Sequence, residues 1–392
     1  MVRKSSLKLL LGVGLIAILA GCASVYEDGQ KSDTGTSTTP TAGEPIVIGA
    51  LLPLSGSEVA LGLPMQRVLQ VAAKKINDAG GINGRMIKLE FDDGACASDA
   101  ANKAINNLVS IKKVKVVIGG ACSSETLAAA PVVEANKVVL LSPAASSPKI
   151  TTAGDFIFRN YPSDSAQGQI LAEYANKKGF KKVGMIVEEQ PYTEGIADAF
   201  SAAFEKLGGK VVTEKYAQNA SDFRTQITKL QAASVDMFFV DTQAPDKAGI
   251  VVKQLVEAGV KAPYLLNDVA IGAMDEVVKT GNVEGSVGAE VPYDKTYPDL
   301  AKLQESYKAL SDGKEMPYMS YMAPTYDSLF IIKEAIEKVG EDPVKIKDYL
   351  YTVKGRKGLA GTLSFDSNGD PTSDYRHELK MVKDKAVVEY KE

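Results

Sequence analysis

From Ile46 onward the chain alternates short apolar runs with amphipathic segments, and this alternation restricts the folds open to it. "IVIGALLP", "MIKLEFDD", "VKVVIGG" and "VVLLSP" read as strands. Between them, "MQRVLQVAAKKINDAGG" sets Val68, Leu69, Ala72, Ala73 and Ile76 on one helical face and stops at Gly80-Gly81. "SDAANKAINNLVSI" reads as a second helix, with Ser98 as its N-cap. Strands that are nearly continuous in apolar residues are buried on both faces, as in a parallel sheet covered by helices. After "FIFRNYPSD" the cycle restarts with helices at "SAQGQILAEYANKKG", "EGIADAFSAAFEKLGG", "SDFRTQITKLQAAS" and "PDKAGIVVKQLVEAG". The strands "KVGMIV", "KVVTEKY", "VDMFFVD" and "YLLND" separate or follow them. The repetition implies βαβ units, and the expected fold class is α/β with two successive, Rossmann-like, doubly wound lobes of similar size. Beyond "VGAEVPYD" the pattern is mixed: helices near 299–310, 326–339 and 344–351, then strand-like "GTLSFD" and "HELKMVKDKAVVEY".

Doubly wound sheets bind ligands outside the carboxyl ends of their strands, where the winding reverses. The candidates are therefore Ser55-Gly56, Cys122 to Ser124, Ser142 to Ser147, Glu188 to Tyr192, Asp241 to Gln243, and Asn267-Asp268. In "VVIGGACSSETLAAA", Ser123 and Ser124 stand where a helix begins, among unpaired N–H groups at the positive end of the helix dipole. Such a corner holds a carboxylate or phosphate, unless a serine there only caps its own helix. "SPAASSP" is a second hydroxyl-rich turn after the adjacent strand, or else an ordinary loop. Asp268 and Asp241 end strands of the second lobe and would pair with an ammonium group, or serve as solvated or capping acids. Together, an anion corner in one lobe and a carboxylate in the other would suit a zwitterion.

The first residues form a targeting segment. Arg3, Lys4 and Lys8 precede an apolar run ending in "LAGC", which matches a secretory signal and looks like a bacterial lipobox with Cys22 as the lipidated residue. The run is too short for a comfortable membrane span. Residues 1–21 are read as signal peptide, and 22–44, rich in Ser, Thr, Gly and Pro, as lipidated cysteine and flexible tether. Cys96 and Cys122 then remain, an even number in an oxidising compartment, to be paired or left as two buried thiols. A net charge of −4 with scattered Lys and Arg argues against nucleic acid as a partner. The single histidine, His377, leaves no material for a His-dependent triad or a multi-His metal site. There is no phosphate loop of the G-x-x-x-x-G-K-[ST] type, so no catalytic residue, metal or cofactor is expected, and an enzyme is disfavoured.

"IGALLPLSG", "INDAGGINGRMIKLEFDDGAC", "VKVVIGGACSSET", "LLSPAASSP", "QPYTEG" and "YDSLFIIKEAIEKVG" resemble the periplasmic leucine/isoleucine/valine-binding proteins of ABC importers, a type I periplasmic-binding family. The resemblance runs from about Pro45 to the C-terminus. It implies a three-crossover hinge near Tyr161–Ser163, Val291–Asp294 and Leu363–Gly369. One lobe would comprise 45–161 plus 293–363, and the other 162–292 plus 364–392. It also implies a Cys96–Cys122 bridge and an exported, membrane-anchored protein that takes up an amino acid, most simply branched or aliphatic, for a permease. By this resemblance Ser123, Ala144 and Ser146 would meet the ligand carboxylate and ammonium, Asp268 the ammonium in place of the family's glutamate, and Tyr192 and Tyr326 the cleft. Leu61 stands for an aromatic and Gln243 loosely for a tyrosine, beside an unmatched Asp241. These departures leave open a receptor or sensor for an amide, urea or aromatic acid on the same fold.

Overall fold

The structure, a computed structural model, describes residues 43–272, 277, 282–372 and 375–391. The signal segment, Cys22 and the tether up to residue 42 lie outside the described residues.

The apolar runs become two separate sheets. In the first, strands β1 (Ile46–Leu52), β2 (Ile87–Asp93), β3 (Val116–Gly119), β4 (Val139–Ser142) and β5 (Ile157–Arg159) lie in the order β2-β1-β3-β4-β5, all parallel. Helices α1 (Val59–Asp78), α2 (Ser98–Asn106) and α3 (Ser123–Asn136) connect them. Val68, Leu69, Ala72, Ala73 and Ile76 of α1 are all buried, as their helical spacing predicts. The segment read as one helix over 98–111 divides into α2 and a π-helical turn, Asn107–Ile111. The wider turn buries the consecutive Leu108 and Val109 together, which a regular amphipathic helix face accommodates less well.

The second sheet begins with β6 (Lys182–Glu188), β7 (Lys210–Tyr216), β8 (Met237–Asp241), β9 (Leu265–Leu266) and β10 (Val287–Glu290), which are parallel in the order β7-β6-β8-β9-β10. Helices α4 (Asp164–Lys177), α5 (Pro191–Lys206), α6 (Arg224–Ala232), α7 (Pro245–Glu257) and the short α8 (Asp268–Gly272) accompany it. The strand expected over "YLLND" is only two residues long. Asn267 stops it: its Oδ1 accepts from the Ala270 N–H at 2.9 Å, which caps α8 and makes Asp268 the first helical residue.

After β10 the chain returns to the first sheet through α9 (Leu300–Leu310), α10 (Met319–Val339) and α11 (Pro343–Tyr351); α9 and α10 lie against α1. A small hairpin, β11 (Arg356–Gly358) with β12 (Gly361–Leu363), follows. The chain then joins the second sheet as β13 (Glu378–Lys383), antiparallel to β10, with β14 (Ala386–Glu389) paired to its outer side. The chain therefore passes between the sheets after β5, after β10 and after β12. Helix α10 starts seven residues earlier than its expected beginning at Tyr326, with Pro324 inside it. Burial of Ser320 through Leu329 outweighs the proline's local cost and moves Tyr321 onto the helix.

Candidate ligand-binding cleft

The corner after β3 is built for close approach. Gly119 has φ +132°, and a Cβ there would meet Leu51 O at 2.1 Å; one at Gly120 would meet Cβ of Glu125 at 2.3 Å. Cys122 caps α3 and is bonded to Cys96, with Cα atoms 5.4 Å apart. Glu125 ties the two cysteines together a second time. Its Oε1 accepts from the Cys96 N–H and its Oε2 from the Cys122 N–H, each at 3.0 Å. Burial pushes the Glu125 carboxyl up to about 7, opposed by these backbone donors. Ser124 donates to Cys96 O at 2.9 Å and so serves the corner's own structure. Ser123 remains on the inner side, where its Oγ accepts from the Ser147 N–H at 3.1 Å.

The turn after β4 packs beside it. Ser142 Oγ donates to Gly120 O at 2.7 Å and accepts from the Ala145 N–H at 3.0 Å, which holds "SPAASSP" against the α3 corner. Ala144, Ser146 and Ser147 are buried, and Ser147 Oγ has no partner. The second lobe comes close here. A Cβ on Gly195 of α5 would lie 2.6 Å from Pro148 Cδ and 3.1 Å from Ser147 Oγ.

Across this contact stands Asp268, 2% exposed. Its Oδ2 accepts from Tyr161 Oη at 2.9 Å and from Tyr321 Oη at 2.5 Å. Its Oδ1 accepts from Gln167 Nε2 at 3.0 Å and from Tyr192 Oη. The Tyr161 and Tyr321 rings stack with centroids 5.0 Å apart. Burial first, and the Asp268 charge next, raise all three tyrosines well above their usual range, so each is a hydroxyl donor at any physiological pH. The Gln167 amide also donates to Asp164 Oδ1 at 3.1 Å, while the Asp164 N–H donates to Ser146 O at 2.9 Å. A chain of hydrogen bonds thus runs from the hydroxyl-rich turn of the first lobe to the carboxylate of the second. Burial, with Asp268 close by, raises Asp164 well above the carboxylate range. His377 Nε2 lies 3.4 Å from Gln167 Nε2, and burial lowers this histidine to about 4.

Leu61, Gln243 and Asp268 line one small cavity of about 20 Å3, together with Glu58 and Tyr321. Asp241 sits at the end of β8, buried, with Oδ1 accepting from Asn267 Nδ2 at 2.8 Å and Oδ2 unpartnered. Gln243 directs its backbone N–H to Glu188 Oε2 at 3.0 Å.

Tyr326 is a correction. It does not enter this cleft: its hydroxyl meets Lys75 Nζ at 3.0 Å, its ring packs on Phe330 and Tyr297, and it lines a separate surface cavity with Asp299 and Leu303. Tyr321 and Tyr326 are five apart on α10, and helical geometry turns them to different sides. Tyr321, Tyr161, Gln167 and Glu58 are the cleft residues that the sequence reading did not single out. "PYMSYMAPTYDS" does contain Tyr318, Tyr321 and Tyr326, but choosing among them needed the true start of α10.

Two α/β lobes linked by repeated crossings, with polar strand ends brought together between them, define a type I periplasmic-binding fold. The chain belongs to the periplasmic binding protein family, whose model matches residues 45–377. An amino acid binding protein of Pseudomonas aeruginosa is 31% identical over 84% of this chain and 88% of its own length. The leucine-, isoleucine-, valine-, threonine- and alanine-binding protein of the same organism is 28% identical over 86% of this chain and 90% of its own. Among solved structures, a leucine-binding protein of Thermotoga maritima superposes with a TM-score of 0.79 at 26% identity, covering 88% of this chain and 98% of that one.

Proposed function

We propose that the chain is the extracytoplasmic solute-binding protein of an ABC importer, lipid-anchored through Cys22, and that it captures an α-amino acid between its lobes for a permease. The observation that carries this reading is Asp268, a buried carboxylate ringed by hydroxyl and amide donors and linked through Gln167 and Asp164 to the Ser146 turn. In this reading the ligand ammonium takes the place of one tyrosine hydroxyl on Asp268, an exchange of a neutral for a charge-assisted hydrogen bond. The carboxylate goes to the α3 corner, where Ser123 Oγ, the Ala144–Ser146 backbone and the helix dipole favour an anion. The relatives named for leucine, isoleucine and valine make an aliphatic side chain the default.

No bond is made or broken. Ligand contacts on both lobes favour the closed arrangement over the open one by their combined differential affinity. A cavity of about 20 Å3 has room for about one water, so entry requires the lobes to part. The test is thermal unfolding of the full chain with each proteinogenic amino acid in turn. A true ligand at a hundred times its Kd adds about 2.7 kcal/mol of stability. Absence of stabilisation by every amino acid, with stabilisation by an aromatic acid or an amide, would replace this reading with that of a receptor for those compounds.

A further inference from the structure

We infer that Glu58 is a specificity-determining residue of the cleft, and that the captured amino acid carries an N–H or O–H donor on its side chain, which Glu58 accepts. The inference rests on the amino-acid reading of the cleft and sharpens its default of an aliphatic side chain.

Glu58 stands at the N-terminus of α1, in the loop after β1, on the first lobe. It is 2% exposed and shares one small cavity with Leu61, Gln243 and Asp268. Its Oε1 has no hydrogen-bond partner, although Ser57 serves the carboxyl group. The charges acting on it, Glu188, Asp246 and Lys247, belong to the second lobe. Lys247 offers little relief, because its Nζ is already 3.2 Å from Glu188 Oε1. One oxygen of the buried Glu58 carboxyl therefore lines the cavity it shares with Asp268 and finds no partner among the described residues.

Buried polar groups are nearly always hydrogen-bonded, and an orphan calls for a partner outside the chain. A ligand held at Asp268 by its ammonium presents the remainder of its structure to the same cavity, and hence to Glu58. An aliphatic side chain there would seal the acceptor without a donor; a hydroxyl, amide or ammonium would satisfy it. A protonated carboxyl keeps an acceptor oxygen and adds one O–H donor, so a hydroxyl or amide side chain, which can both donate and accept, satisfies Glu58 in either charge state. Sites built around a polar contact reject analogues that lack it far more strongly than apolar pockets reject a missing methylene.

Calorimetric titration of the full chain with leucine, valine, threonine, glutamine and lysine decides the matter, using wild type, Glu58→Gln and Glu58→Leu. In wild type, at least one of threonine, glutamine and lysine is expected to bind tenfold or more tighter than leucine. Glu58→Gln retains most of that ratio, and Glu58→Leu abolishes or inverts it. Leucine or valine binding wild type as tightly as the best donor-bearing ligand overturns the inference while leaving the amino-acid reading intact. An unchanged ratio in Glu58→Leu does the same. Failure of all five to bind overturns the inference, and only failure of every proteinogenic amino acid removes the amino-acid reading as well. Should Glu58→Leu not fold, the wild-type and Glu58→Gln ratios suffice.

Discussion

Tyr321 Oη lies 2.5 Å from Asp268 Oδ2, joining a helix that rests on the first lobe to the strand end of the second. Both residues are buried, so this contact spans the lobes where solvent does not screen it. Asp268 therefore has two functions in the proposed mechanism: it holds the lobes together through tyrosine hydroxyls and offers its charge to the ligand.

Asp268→Ala is expected to weaken binding of the cognate amino acid by roughly 2–5 kcal/mol, the usual cost of removing one partner of a buried charge pair. Calorimetry would show it as a loss of affinity at unchanged stoichiometry. An unaltered Kd removes Asp268 from the ammonium site.

Tyr321→Phe and Tyr326→Phe separate the cleft from the outer face of α10. The first deletes a donor to Asp268 and is expected to change ligand affinity, by about 1.5–3 kcal/mol for a hydrogen bond to a charged group. The second loses only the Lys75 contact at the partly buried outer face and should leave affinity within about twofold, or about 0.4 kcal/mol. Equal effects of both would contradict the placement of Tyr321.

Gly195→Ala tests the approach of the lobes. The added Cβ would meet Pro148 Cδ at 2.6 Å, so α5 has to back away from the Ser147 turn. Overpacking of this kind costs about 1–3 kcal/mol, charged here to the closed form. The expected results are weaker ligand binding and a larger ligand-free radius of gyration by small-angle X-ray scattering.

Reduction of Cys96–Cys122, or its replacement by two alanines, removes a cross-link spanning 26 residues. Stability should fall by roughly 3 kcal/mol, measurable by urea titration. Because Glu125 and Ser124 still bind the Cys96 backbone, ligand affinity should decline less than stability.

Burial pushes the Glu58 carboxyl from 4.5 up to about 8, with Glu188 and Asp246 adding to the rise and Ser57 and Lys247 opposing it. The folded state therefore holds this proton more tightly than the unfolded chain. Its contribution is fully present below about pH 4.5 and lost as pH rises towards about 8, by up to about 5 kcal/mol. Ligand-free Glu58→Gln should show a flatter stability curve over that interval than wild type. Matching slopes in the two proteins would mean that Glu58 titrates normally.

What local pattern carries, the sequence determined. Apolar runs between amphipathic helices specify parallel strands, and the ends of those strands are where Ser123, Ser146, Asp241 and Asp268 occur. The α3 corner was legible because its glycines, cysteine, serines and glutamate are contiguous, and helix starts act through neighbouring backbone groups. The resemblance implied Tyr192 and Asp268 as cleft residues, and in the structure the Tyr192 hydroxyl donates to the Asp268 carboxylate. The tertiary structure alone decided which side chains complete the site. Tyr161, Gln167 and Tyr321 are 107, 101 and 53 residues from Asp268 along the chain, and no periodicity links positions so distant. Tyr321 was chosen over Tyr326 by core burial extending α10 through Pro324. Glu58 resembles any surface acid beside a helix start until the second lobe covers it and leaves its oxygen without a donor. Burial and partnership are sums over the whole fold, whereas propensity and capping act within a few residues of one another.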